Sequence, residues 1–196
     1  MKNDIEAMLK ESADVKMKTI EISGDVEKAA KAVLECYRNG GKVILFGNGG
    51  SAAQAQHIAA EFINKFKIDR RPLPALALTT DTSNLTSISN DSTFDEVFEK
   101  QIMALCNSND IVIAITTSDI SEERHGHSAN IYRGIMAAKQ KNAKVIGMFS
   151  VKSKLAASLV DIPILIPSKE TSRIQEAHIT VMHIICELVE NELFGD

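Results

Sequence analysis

The chain has little cysteine, no long apolar run and no surplus of positive charge, and each shortage removes a class of protein. Its three cysteines, Cys36, Cys106 and Cys186, stand far apart. They suit neither a disulfide framework nor a zinc knuckle, and read as buried, reduced thiols of a cytoplasmic protein. No apolar stretch approaches the roughly 20 residues that cross a bilayer. The opening segment MKNDIEAMLKESADVK is charged throughout, so no signal peptide is expected. Lys and Arg number 22 against 26 Asp and Glu, a net charge of −4. That balance leaves no electrostatic footprint for nucleic acid or an anionic membrane surface. No repeat or low-complexity segment interrupts the 196 residues. The reading is one domain over residues 1–196, with N-terminal helices in 1–40 and an α/β core in 41–196.

What is present is a regular alternation of strand and helix. Apolar residues at helical spacing fill about 4–21 and 25–38, the second run stopping at RNGGK. KVILFG then reads as a short strand and SAAQAQHIAAEFINKF as a helix. A buried strand is predicted from Ala75 to Thr80, helices over NLTSISND and TFDEVFEKQIMALC, and a strand over DIVIAITTS. The polar loop DISEERHGH leads to helix SANIYRGIMAAKQKN, strand KVIGMFS, a short helix near Lys154–Leu159 and strand DIPILIPS. A long helix from about Thr171 to Leu193 closes the chain. Five apolar strands alternating with helices predict a parallel sheet covered on both faces, a three-layer α/β sandwich. Such sheets bind ligands at the carboxyl ends of their strands. That places Asn48–Ser51, Thr79–Asp81 and Thr116–Ser118 together as candidates.

GNGGS joins a strand to a helix, so backbone N–H groups and a helix N-terminus converge where an anion would be held. Gly49 and Gly50 permit close backbone approach, and Ser51 either caps the helix or donates to a ligand. The segment lacks the Lys-Ser/Thr of a nucleotide loop and the spacing of a dinucleotide fingerprint. A plain tight turn is the alternative. Thr116, Thr117 and Ser118 add hydroxyls at a neighbouring strand end, a set suited to a sugar phosphate; capping of the next helix is the bland alternative. His57 and Glu61, four apart, project from one helical face and suit two ligands of a zinc ion, or else form a solvated pair. Gln175, His178 and His183 lie among apolar residues of the last helix. A histidine there is more often core than ligand. Gln175 and His183 are about 12 Å apart along that helix, which stretches both towards one small cation. If both serve the ion held by His57 and Glu61, one of them is expected from a neighbouring subunit.

Together these stretches resemble the sugar isomerase (SIS) domain family, and within it the phosphoheptose isomerases. The resemblance rests on FGNGGSAAQAQHIAAEF, RRPLPALALTTDTSNLTSISND, FDEVFEKQIMAL, ITTS, GHSANIYRGIMAAK and RIQEAHITVMHIICELVE, in family order from about Val43 onward. It implies a Rossmann-like or flavodoxin-like five-stranded sheet and a homotetramer with active sites at subunit interfaces. It implies one zinc ion per active site, and conversion of sedoheptulose 7-phosphate to D-glycero-D-manno-heptose 7-phosphate, a heptose precursor for surface polysaccharide such as lipopolysaccharide or capsule. Carried over, the metal ligands fall on His57, Glu61, Gln175 and His183. The substrate residues fall on Asn48, Gly49, Gly50, Ser51, Glu61, Asn90, Asp91, Thr116, Thr117, Ser118, Ser128 and Gln175. Glu61 is expected as the base in an enediol mechanism and His183 as the partner acid.

Three departures stand out. Gln54 replaces the family's acidic residue, an amide that cannot accept a proton. About seven extra residues, Asp119–His125, lie beside the phosphate loop, and a register on Ser121 competes with Ser128 for the phosphate serine. This insert is either a solvated loop or brings Arg124, His125 or His127 to the substrate. FSVKSKLA lacks a glycine pair that often follows the fourth strand. Two rival readings of the same fold remain: a binding module like the one that associates with the bacterial replication initiator, and a regulatory sugar-phosphate sensor that binds no metal.

Overall fold

A computed structural model describes residues 1–195. Its five strands are β1 (Val43–Gly47), β2 (Ala75–Ala77), β3 (Ile111–Ile115), β4 (Lys144–Ser150) and β5 (Ile162–Ile166). All pairs are parallel, in the order β2-β1-β3-β4-β5. The eight helices of the described residues are α1 (Lys2–Lys18), α2 (Ser23–Arg38), α3 (Gly50–Ile63), α4 (Thr82–Asp91), α5 (Val97–Leu105), α6 (Ala129–Gln140), α7 (Lys154–Leu159) and α8 (Thr171–Phe194). The three-layer α/β sandwich expected from the strand–helix alternation is therefore the observed fold. None of the helices is long and apolar enough to cross a membrane.

The layers follow from the two-residue period of the strands. Val43 and Leu45 of β1 point into a core shared with α2, α3 and α8, where Val33, Ile58, Phe62 and Val181 lie. Ile44 and Phe46 point the other way, into a core shared with α5 and α6, where Phe98, Ile131 and Ile135 lie. Burial on both faces explains why β1 and β3 are wholly apolar up to their last residues.

Strand order reverses between β1 and β3, the position at which an open parallel sheet leaves a crevice beyond its carboxyl edge. The register pairs Gly47 with Ile115, so Asn48 and Thr116 leave the sheet side by side.

Several boundaries differ from the periodic reading, each through a specific bond. The first helix ends at Lys18 in a 3-10 turn, Thr19–Ile22, where the Thr19 hydroxyl bonds back to the Val15 carbonyl. The Ala75–Thr80 strand stops at Ala77, because β2 is a sheet edge and Thr80 turns its hydroxyl onto the Ala77 carbonyl. The helix expected at 93–106 opens as a 3-10 turn over Phe94–Glu96, with Thr93 accepting from the Asp95 amide. Finally, α3 stops at Ile63 rather than Phe66; the amides of Phe66, Lys67 and Ile68 donate to Glu190 instead.

Candidate active site along the crevice and the α3–α8 seam

The crevice begins with backbone. Gly49, at φ +52°, starts α3 in a conformation that a side chain would strain, and it occupies the capping position. Ser51 therefore lies inside the first turn, buried, and is not the cap. A Cβ on Gly50 would sit 2.5 Å from Gln175 Nε2, so the missing side chain is the space that Gln175 fills. Asn48 is held by Asn130 through two reciprocal amide bonds of 2.9 and 2.8 Å. Asn130 is buried at the start of α6 and was not among the expected site residues. Nothing local in SANIYR marks it, because its partner lies 82 positions away.

The β3 loop stands beside this turn. Thr116 is buried and its hydroxyl bonds the Ser118 carbonyl, while the Ser118 amide donates back to it. The Thr117 and Ser118 carbonyls are bound by the hydroxyls of Ser150 and Ser153. Ser128 adopts a left-handed φ of 55° immediately before α6. The extra segment is tied down at its two ends, its middle exposed: Asp119 accepts from the amides of Leu155 and Ala156 at the start of α7, and the His125 amide donates to Asp95. His127 Nε2 lies 3.2 Å from the Ser118 hydroxyl, whereas Ser121 packs under Gly126. Asn90 and Asp91 end α4, exposed and bonded to each other; among the described residues no hydrogen bond ties them to the crevice loops. Asp81 caps α4 through the Asn84 amide, and Thr79 accepts from Gln56, so these two have structural work.

Helices α3 and α8 run side by side in the same direction. Near their start Gln54 Nε2 donates to the Gln175 carbonyl at 2.7 Å, while its own amide oxygen is buried without a partner. Further along, His57 Nε2 approaches His183 Nε2 at 2.9 Å and Glu61 Oε1 at 3.2 Å. One ligand atom from each of these three residues lies within 4.8 Å of the others. Ligand atoms about 2.0–2.2 Å from a shared ion are spaced about 3–4 Å apart, and two imidazoles with one carboxylate form a donor set of catalytic zinc sites. The three residues fit a divalent cation. His183 is held below the usual histidine range, first by partial burial and then by the neighbouring His57, with Glu61 opposing. It is thus biased towards the neutral form that binds metal.

Gln175 does not join them within the chain. It packs on Gly50, eight residues before His183 on α8, a separation of about 12 Å along the helix. His178, the other histidine of the rich segment, is a core residue: fully buried, with its Nε2 on the Phe149 carbonyl at 2.9 Å. Burial pushes its pKa down to about 4, partly offset by that carbonyl.

Similarities to known proteins follow the same outline. The SIS domain family model matches residues 8–150. A phosphoheptose isomerase of Clostridium acetobutylicum is 43% identical across 100% of this chain and 98% of its own length. One from Aquifex aeolicus is 44% identical over 97% of this chain and 96% of its own. The solved structure of a phosphoheptose isomerase from Francisella tularensis superposes with a TM-score of 0.89 at 34% identity, covering 96% of this chain and 97% of that one.

Proposed function

The chain belongs to the phosphoheptose isomerase family of SIS-domain proteins, and from that premise we propose that it interconverts sedoheptulose 7-phosphate and D-glycero-D-manno-heptose 7-phosphate. The observation that carries this reading is the convergence of His57, Glu61 and His183, two turns along α3 from its glycine-rich start.

The reaction moves a carbonyl between C1 and C2. A proton leaves the carbon next to the carbonyl and returns to its neighbour, through an enediol. The sugar phosphate is anchored at its far end by the Asn48–Ser51 turn and the Thr116–Ser118 hydroxyls, with Ser128 beside them. That anchoring fixes the reacting carbons near the α3–α8 seam, so the proton transfer proceeds without a search for geometry. Glu61 takes the proton from the carbon beside the carbonyl and returns it to the former carbonyl carbon, so the carboxylate ends the cycle as it began. His183 gives a proton to the carbonyl oxygen and recovers one from the neighbouring hydroxyl, a role that alternates with its role as a metal ligand. A zinc ion, held by His57, Glu61 and His183, supplies Lewis-acid polarisation of the substrate oxygens when bound. Gln175 lines the same crevice through its place on Gly50. As the fourth metal ligand it would act across an interface of the homotetramer, because its own chain keeps it two turns from the cluster.

The cluster favours this enzyme reading over a binding module or a metal-free sensor, neither of which needs it. Metal analysis of the purified protein, joined to an aldose–ketose assay on sedoheptulose 7-phosphate, tests it. The expected result is one zinc per active site and turnover that chelation removes and zinc restores. Protein that neither binds metal nor turns over this substrate overturns the proposal.

A further inference from the structure

The two helices that carry the cluster are far apart in sequence, 126 residues between His57 and His183. Side-chain reach across the seam is therefore set by how the helices are tied together. One tie lies just beyond the cluster. Arg70 and Glu190 form an ion pair of 2.7 Å with side chains only 2% and 1% exposed. Glu190 lies on α8, seven residues past His183, two turns on and nearly the same face. Arg70 reaches the other helix: its Nη2 donates to the Glu61 carbonyl at 3.0 Å and its Nη1 to the Phe62 carbonyl at 2.9 Å. Those carbonyls belong to the last turn of α3, where a cation is favoured by unpaired acceptors and by the helix dipole.

Glu190 also organises the segment after α3. Its two oxygens accept from the amides of Phe66, Lys67 and Ile68 at 2.5–2.9 Å. This places the Phe66 ring against His183, with centroids 5.4 Å apart. One carboxylate thus fixes a guanidinium that holds the Glu61 backbone and an aromatic ring that borders the His183 imidazole.

A buried ion pair adds little stability over apolar residues of the same volume, because removing two charges from water offsets their attraction. What it supplies is a directional constraint. We propose that Arg70, Glu190 and Phe66 are positioning residues, a clamp that sets the α3–α8 spacing and the His183 ring orientation at the His57–Glu61–His183 cluster. The proposal rests on the metal reading given above. It concerns residues that touch neither substrate nor cation.

Metal-free wild type, Phe66→Leu and Glu190→Gln are titrated with cobalt(II), reading affinity and the visible absorption that reports ligand geometry. Far-ultraviolet circular dichroism and thermal midpoint check the fold. The expected result is cobalt affinity lowered about 10-fold or more in folded variants, with altered absorption, as seen when outer partners of metal ligands are lost. Phe66→Leu keeps the Glu190–Arg70 pair and the amide bonds, so it remains informative where Glu190→Gln fails to fold. Wild-type affinity and spectrum in folded Phe66→Leu overturn the clamp while leaving the metal site standing. A wild type that takes up no cobalt removes the metal reading and the clamp with it.

Discussion

At its beginning the α3–α8 seam is made of glycine and neutral amides, Gly50 and Gln54 against Gln175, whereas further along it is made of ionisable groups. The first end closes on the glycine-rich turn and carries no ionisable group. The second gathers two imidazoles and a carboxylate, and is braced by the buried Arg70–Glu190 pair. On the proposed function, one pair of parallel helices presents a binding end and a reactive end. A substrate lying along the seam would have its phosphate at one and its carbonyl at the other. The difference teaches that helix rise, not residue identity alone, divides Gln175 from His183.

The sharpest way to break this comparison is to neutralise the reactive end. Glu61→Gln keeps the shape but removes both a metal-binding charge and the proposed base. Turnover in the isomerase assay is expected to fall by about 10²–10⁴-fold, with the thermal midpoint little changed. Turnover near wild type would dissolve the distinction between the ends.

A second measurement separates the two histidines of α8. His178 is buried neutral, its pKa pushed down from 6.5 to about 4. Its contribution to stability is fully present above pH 6.5, where both folded and unfolded chains are unprotonated. It is lost as pH falls through 6.5 towards 4, because only the unfolded chain takes up the proton there. Full loss corresponds to about 3 kcal/mol, at 1.36 kcal/mol per pKa unit. Denaturant unfolding of wild type and His178→Gln between pH 7.5 and 4.5 should show the steeper decline in wild type. Equal slopes would mean that His178 is not held neutral.

The mildest perturbation sharpens the binding end. Gly50→Ala pushes on the Gln175 amide, the flexible tip of a side chain, so the fold should survive. The cost should appear as a KM raised about 10-fold, about 1.4 kcal/mol, with kcat within a few-fold of wild type. A large fall in kcat with KM unchanged would mean instead that Gln175 acts chiefly as the ligand of a neighbouring subunit's cluster.

Much of this was legible before any coordinates. The apolar runs of β1 and β3 specify strands buried on both faces, and GNGGS reads as a turn whose glycines permit close backbone approach, the positive φ at Gly49 being the structure's addition. The i, i+4 spacing of His57 and Glu61 puts them on one helical face by geometry alone. Their union with His183 needed the seam, as did the separation of Gln175 from them. Asn130, Arg70, Glu190 and Phe66 carry no local signal, since each works through a partner at least 82 positions away or through a chain of such contacts. The insert shows the same limit: residues 122–125 are exposed, as a solvated loop would be, but which distant groups bond Asp119 and the His125 amide, and that His127 stands at Ser118, needed the fold.

The sequence by itself determined the layered sheet, the glycine turn and the helical pairing of His57 with Glu61, because these depend on periods of two and 3.6 residues and on contacts within a few positions. Only the tertiary structure decided which distant side chains share a site. The packing of α3 against α8 sets that, while burial holds His178 neutral and hydrogen bonds keep the equally buried Glu190 charged.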